Sequence, residues 1–188
     1  LFPCYGPIES WDISRITDFT DLFREEWQCD PKISAWDVSH VKTFSGMFNS
    51  AYSFNADIAG WDVSSSKDFS GMFNDALNFN ANIAGWDVSS SENFGGMFST
   101  SSATKSKFNV DISGWDVSSS TSFSGMFAGA LNFNANIAGW DVSSSENFGE
   151  MFNGALEFNA DISGWDVSSS TSFSGMFAGA LNFNANIA

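Results

Sequence analysis

Basic residues are scarce in this sequence, which holds 7 Lys and Arg against 22 Asp and Glu and has a formal net charge of −15. All of the basic residues lie at or before Lys107, so residues 108–188 carry acids and no base. Proteins bind nucleic acid by neutralising phosphates with Lys and Arg, and anionic membrane surfaces attract the same side chains. The composition therefore excludes nucleic acid and anionic lipid surfaces from the expected partners.

Long apolar runs and catalytic clusters are also missing. No run approaches the roughly 20 apolar residues that span a bilayer, so we expect no membrane insertion. The single histidine, His40, is too close in sequence to Asp37 and Ser39 to form a triad with them. We therefore predict that the protein is not an enzyme. The chain begins at Leu1 without a signal-peptide pattern, as expected of a mature protein or an excised piece.

The dominant feature is a repeat. The dipeptide Trp-Asp recurs every 25 residues, except for a spacing of 29 between Trp86 and Trp115, where the polar stretch 99–107 reads as a loop insertion. Aligned on Trp, three rows of Phe take every Phe except Phe2, and Met and Trp form two further rows. Side chains that recur in this way stack on their own copies in the next repeat. We expect these rows to form the core.

The spacing within one repeat predicts the fold class. Apolar residues over 44–54 follow the i, i+3, i+4, i+7 spacing of one helix face, and residues 58–63 alternate as in a short strand. We predict one α/β solenoid over residues 1–188, with one short parallel strand and one short helix or 3₁₀ turn per 25-residue coil. Residues 1–35 are expected to cap its start. No C-terminal cap is visible, so we expect the chain to continue or dock beyond Ala188.

One stretch of the repeat carries a family resemblance. The string FNADISGWDVSSSTSFSGMF, residues 158–177, resembles the BspA-like surface-protein repeat, a relative of the leucine-rich repeats. About seven copies cover essentially the whole chain. The resemblance implies a leucine-rich-repeat-like solenoid in an exported, surface-exposed protein, associated with adhesion and without a common enzymatic activity. The chain departs from the family pattern five residues after Trp, where Ser replaces Val from Ser66 onward.

The aspartate of each Trp-Asp pair forms a candidate site. Like charges stacked one coil apart repel each other, so some interaction must offset that cost. Two interpretations remain open: capping of the following turn by backbone N–H bonds, and a bridging Ca²⁺, which would be the only cofactor. The row consists of Asp12, Asp37, Asp62, Asp87, Asp116, Asp141 and Asp166.

Three consecutive serines follow each Trp-Asp-Val in five repeats. They are interpreted as a solvated turn, as an O-glycosylated ribbon, or as a flat hydroxyl array for ice or polysaccharide. N-glycosylation is excluded, because no Asn-x-Ser/Thr sequence occurs. The triplets are Ser64, Ser65 and Ser66; Ser89, Ser90 and Ser91; Ser118, Ser119 and Ser120; Ser143, Ser144 and Ser145; and Ser168, Ser169 and Ser170.

The two cysteines occupy equivalent places in adjacent repeats. Cys4 and Cys29 both stand seven residues before a Trp, where the other repeats have Phe. Stacked residues there would lie within the separation that a disulfide needs. We predict a Cys4–Cys29 disulfide that pins the N-terminal cap, with two buried thiols as the alternative.

These features together predict a non-enzymatic extracellular or cell-surface structural protein, used in a surface layer, appendage or filament. Its expected partners are further copies of itself or another surface protein. The alternative is an adhesion or ligand-binding module in which a glycan, a protein or ice docks on the Ser and Asp ribbon.

Overall fold

The computed structural model describes residues 8–26, 31–101 and 106–185. Over these ranges the chain forms a stack of irregular coils, and its one helix is a 3₁₀ helix, η1, at Ile8–Ser10. No helix in these ranges has the length and apolar content needed to cross a membrane. Adjacent coils are joined by single-residue parallel β-bridges, each between neighbours in the series Asp18, Thr43, Asp68, Asn93, Ser122, Asn147 and Ser172.

Each bridge stays one residue long because the backbone turns immediately after it. At the bridge of Asp18 with Thr43, the Phe19 N–H donates to the Thr43 carbonyl oxygen (3.0 Å). Two residues beyond Asp18, the Thr20 N–H donates instead to the Asp18 carboxylate (2.8 Å). A side chain that captures a nearby backbone N–H competes with the sheet ladder. Beyond this point bonds to the next coil, as from Asp21 to Ser45 (2.9 Å), alternate with bonds inside the coil, so the bridge does not extend into a strand.

The predicted α/β solenoid, with a strand and a helix in each coil, is wrong. Over residues 44–51, alternate N–H groups donate three residues back, as from Met47 to Phe44 (3.1 Å). The intervening N–H groups donate to the next coil, as from Phe48 to Met72 (2.9 Å). An α-helix bonds successive N–H groups four residues back within one segment. Here half of the donors are used between coils, so the segment is a series of turns.

The spacing between coils explains why no helix fits. Equivalent rings lie 5.5 Å apart at Phe44 and Phe69, and 5.8 Å apart at Phe54 and Phe79, on either side of the turn segment. An α-helix with its side chains is about 10 Å wide, so helices could not stack at that interval. Two left-handed residues four apart, such as Gly46 and Ser50, bend the chain back in most coils, and the resulting turns mimic a helical apolar spacing.

The predicted strand over 58–63 is also replaced by turns. The Trp61 N–H donates to the Ile58 carbonyl oxygen three residues back (3.1 Å). Trp61 and Val63 are nevertheless buried, while Asp62 between them is exposed. The alternating pattern in the sequence therefore indicates which side chains enter the core. It does not indicate a hydrogen-bonded strand.

The core is a continuous column of stacked aromatic rings, as the repeated rows predict. Phe48 stacks on Phe54 of its own coil at 3.7 Å between ring centroids, and Phe54 lies 6.1 Å from Phe73 of the next coil. The column crosses the 29-residue spacing, where Phe98 lies 5.8 Å from Phe127. Each such ring pair adds about 0.5–1.5 kcal/mol beyond the area it buries.

Candidate functional surface

The aspartates of the Trp-Asp pairs lie on the exposed side of the stack and cap the turn that follows them. In each of the seven, Oδ1 accepts the N–H of the residue two positions later, at 3.0–3.1 Å. In five repeats a serine hydroxyl also donates to the same oxygen, as from Ser118 to Asp116 at 2.6 Å. These carboxylates therefore hold their own local turns.

The same hydrogen bonds favour the charged form of the carboxylates. Donation by the Ser143 hydroxyl and N–H lowers the pKa of Asp141 below its ordinary value, against a small opposing effect from Asp166. The Ser168 hydroxyl and N–H likewise lower the pKa of Asp166. At Asp141 the two donors thus outweigh the repulsion from the neighbouring charge of Asp166.

The row does not gather into a cation site in the part of the chain that the structure describes. No group of three or more His, Cys, Asp or Glu side chains there could hold a metal ion. Oδ1 of Asp62 already accepts the Ser64 N–H and hydroxyl, so that oxygen faces two hydrogen-bond donors. The geometry is that of turn capping, and a shared Ca²⁺ has no cluster of carboxylates to bind.

The three serine rows have three different environments. The first, three residues after Trp, is mostly half-buried and donates to the aspartate row. The last, five residues after Trp, is buried: Ser66, Ser91, Ser120 and Ser145 are each 0% exposed. The middle row is the most exposed of the three, with Ser65 half-buried and its other members facing the solvent. We call it the outer serine row; it consists of Ser65, Ser90, Ser119, Ser144 and Ser169.

The buried serines form a hydrogen-bonded chain along the stack. Each hydroxyl donates to the backbone carbonyl of the equivalent residue in the preceding coil, as from Ser120 to Ser91 (2.9 Å) and from Ser145 to Ser120 (2.7 Å). The series starts at Val41, whose carbonyl accepts from Ser66 (2.7 Å). A hydroxyl held in this way has no surface to offer to a glycan or to ice.

Two further rows tie coil to coil. From Trp36 onward, each indole N–H of the Trp row donates to an Ile carbonyl of the preceding coil, as from Trp140 to Ile112 (3.1 Å). In the Asn row that follows Phe, the side-chain oxygen accepts the N–H of the equivalent Asn one coil later, as Asn109 does from Asn134 (3.0 Å). Sequence reasoning missed the Trp bonds, although a Trp in every coil signals a repeated N–H donor.

Sequence reasoning also missed one buried acid. Asp75 is 8% exposed and has a left-handed backbone (φ 54°) at a row position that the last three repeats fill with Gly. The one feature of the sequence that could have revealed it is that Asp75 is the single Asp in that row and stands one repeat before the insertion. The predicted Cys4–Cys29 disulfide lies outside the described residues, as does part of the predicted cap over residues 1–35.

Comparison with known proteins places the chain in a family. The model of the family described as "Mycoplasma protein of unknown function, DUF285" matches residues 4–108 and again residues 102–188. No curated protein and no solved structure matches the chain. Because the two matches together run from residue 4 to residue 188, the chain belongs to the DUF285 family.

Proposed function

We propose that this chain is a non-enzymatic structural segment of an extracellular, surface-exposed repeat protein that builds a surface layer, appendage or filament. The observation that carries the proposal is that most repeated polar rows join coils or hold turns. Ser120 and Asn134 bond to the preceding coil, and Asp116 holds its own turn. Polar side chains that make structural hydrogen bonds in every repeat suit a structural rod better than a catalytic site.

The connections between coils also favour a stiff rod. Backbone bonds join neighbouring coils at the bridges. Trp indoles, Ser hydroxyls and Asn side-chain oxygens join them at other positions along each coil. In a repeat array each unit is stabilised chiefly by its neighbours, so links on several sides resist bending in every direction.

The surface location rests on the sequence resemblance to BspA-like repeats. That resemblance is more specific than the family match, because it associates such repeats with surface display and adhesion. The net charge of −15 is compatible with an exposed protein whose isolated copies repel one another at low salt. We therefore expect self-association, or association with another surface protein, to strengthen when salt screens this repulsion.

Negative-stain electron microscopy of the purified chain tests the structural role. We expect regular fibres or sheets, more abundant at about 0.5 M salt than at low salt, because the Debye length then falls to a few ångströms. Monodisperse particles at every salt concentration would contradict the proposal. The double variant Ser119→Ala, Asp116→Asn should assemble like the parent chain, because Ser119 is exposed and the Asn side chain keeps the oxygen that accepts the Ser118 N–H.

A ligand-binding role is the second candidate, and the ordered aspartate row favours it. Asp116, Asp141 and Asp166 are exposed, repeat once per coil and have one oxygen fixed by a turn. Together with the outer serine row they present a periodic polar surface to a glycan or a protein. Binding on a glycan array that the same double variant abolishes would support this role, and binding unchanged by the variant would exclude it for this surface.

A further inference from the structure

The hydrogen bonds and ring contacts of the stack are kept on both sides of the insertion in the fourth repeat. On the outgoing side, the Thr100 N–H still donates to the Ala128 carbonyl of the next coil (2.7 Å). On the returning side, the Lys107 N–H donates to the Leu77 carbonyl of the preceding coil (3.0 Å). Phe108 then resumes its place 6.0 Å from Phe133. Some interaction must therefore hold the chain at the point where it departs.

The departure point lacks the turn that the other coils make. In the preceding coil the Ala76 N–H donates to the Phe73 carbonyl (3.0 Å), and this turn closes the corner. The equivalent residue in the fourth repeat is Ser101. Its N–H donates to the Asp75 carboxylate, 2.8 Å away, instead of to a carbonyl of its own coil. A side chain of the neighbouring coil thus takes over the acceptor role.

Asp75 makes two further bonds at this corner. Oδ1 also accepts the Thr100 hydroxyl (2.8 Å), and Oδ2 accepts the Ser101 hydroxyl (2.7 Å). Both oxygens of a buried carboxylate are therefore occupied by donors from the first residues of the insertion. Hydrogen bonds to an ionised acceptor are about twice as strong as neutral ones.

The backbone of Asp75 is left-handed, as it is at Glu25 and Ser50 in the same row; Asp75 differs in that its side chain bonds to the start of the insertion. Its φ is 54°, a left-handed conformation that disfavours any residue with a Cβ atom. Later coils place Gly129 and Gly154 at the equivalent position, with φ of 70° at both. Strained positions persist where the surrounding contacts compensate for them, and the three hydrogen bonds to the insertion do so here.

We propose that Asp75 is a latch that fixes the start of the insertion to the preceding coil and so keeps the aromatic column in register across it. The two family matches overlap over residues 102–108, next to this corner. Release of the latch would open this corner locally while the coils on either side stay folded.

Limited trypsin digestion of the full chain tests the latch. Lys105 and Lys107 are the last basic residues, so cleavage there releases residues 108–188 as one fragment without internal sites. Replacing Asp75→Gly removes the latch, relieves the left-handed strain and restores the residue found in later coils. We expect cleavage at this corner to accelerate about tenfold or more, since proteolysis follows the population of the open form.

Ser50→Gly is the matched control, because Ser50 has a left-handed backbone (φ 59°) at the same position one coil earlier. It should leave cleavage at Lys105 and Lys107 unchanged. An unchanged cleavage rate in Asp75→Gly would overturn the proposal. So would an equal acceleration at Lys42 and Lys67, because it would show that the whole array had loosened.

Amide hydrogen exchange on the unaltered chain gives a second measurement that needs no variant. The Ser101 N–H should exchange as slowly as the Ala76 N–H, because both are bonded at equivalent corners. Fast exchange at Ser101 beside slow exchange at Ala76 would refute the latch even if no variant folds.

Discussion

The change Ser120→Ala should destabilise the stack, whereas Ser119→Ala one residue earlier should not. Ser120 is 0% exposed and donates to the Ser91 carbonyl at 2.9 Å, while Ser119 belongs to the exposed outer serine row. Removing the buried hydroxyl forfeits a hydrogen bond worth about 0.5–1.5 kcal/mol net. It also leaves a carbonyl in the interior without that donor, and the full penalty for such a group is about 1–3 kcal/mol.

The expected loss for Ser120→Ala is therefore about 1–3 kcal/mol in the free energy of unfolding. For a chain of this length each kcal/mol corresponds to roughly 2–4 °C in Tm. Ser119→Ala should stay within about 0.5 kcal/mol, as is usual for surface substitutions. Urea denaturation followed by Trp fluorescence measures both variants under the same conditions. Equal midpoints for the two variants would refute the assignment of a buried hydroxyl ladder.

Three further predictions follow from the described contacts. Phe127→Ala should cost about 3–5 kcal/mol in urea denaturation, because its ring is fully buried in the aromatic column, and a loss below about 1 kcal/mol would contradict that burial. Glu150→Gly should raise Tm by a few degrees, since Glu150 has φ 57° where the other coils mostly have Gly, whereas Gly125→Ala (φ 62°) should lower it. Acid should destabilise the chain. Hydrogen bonds from the following serine lower the folded-state pKa of Asp87, Asp141 and Asp166, so the stabilisation that these bonds give is present above the ordinary value of 3.8 and is lost as pH falls through the lowered values. A pH titration of Tm should show this loss below about pH 4, and Asp141→Asn, which keeps the oxygen acceptor without the charge, should reduce it; a Tm that is constant down to pH 2 would contradict the prediction.

The serine triplet shows where sequence reasoning reached its limit. Three identical side chains in succession carry no information about which of them points inward. Ser118 turns toward Asp116, Ser119 faces the solvent and Ser120 enters the core, because the coil bends sharply after Val117. The bend itself is held locally, but the inward position of Ser120 is fixed by its hydrogen bond to Ser91, which lies 29 residues away in the chain.

The helix prediction failed for a related physical reason. A helix and a series of four-residue turns both return a side chain to the same face every three or four residues, so apolar spacing cannot separate them. The turns prevail because alternate N–H groups, such as those of Phe48 and Ser50, find acceptors in the next coil. An isolated repeat has no such neighbour, and its local pattern favours a helix by default.

The sequence by itself determined the period, the rows that form the core, the position of the insertion and the acidic surface, because each depends only on which residue type recurs at which interval. The tertiary structure decided the secondary structure, the fate of each serine and the role of Asp75. All three depend on hydrogen bonds between coils, whose donors and acceptors lie about one repeat apart and meet only when the chain has stacked at a spacing too narrow for helices.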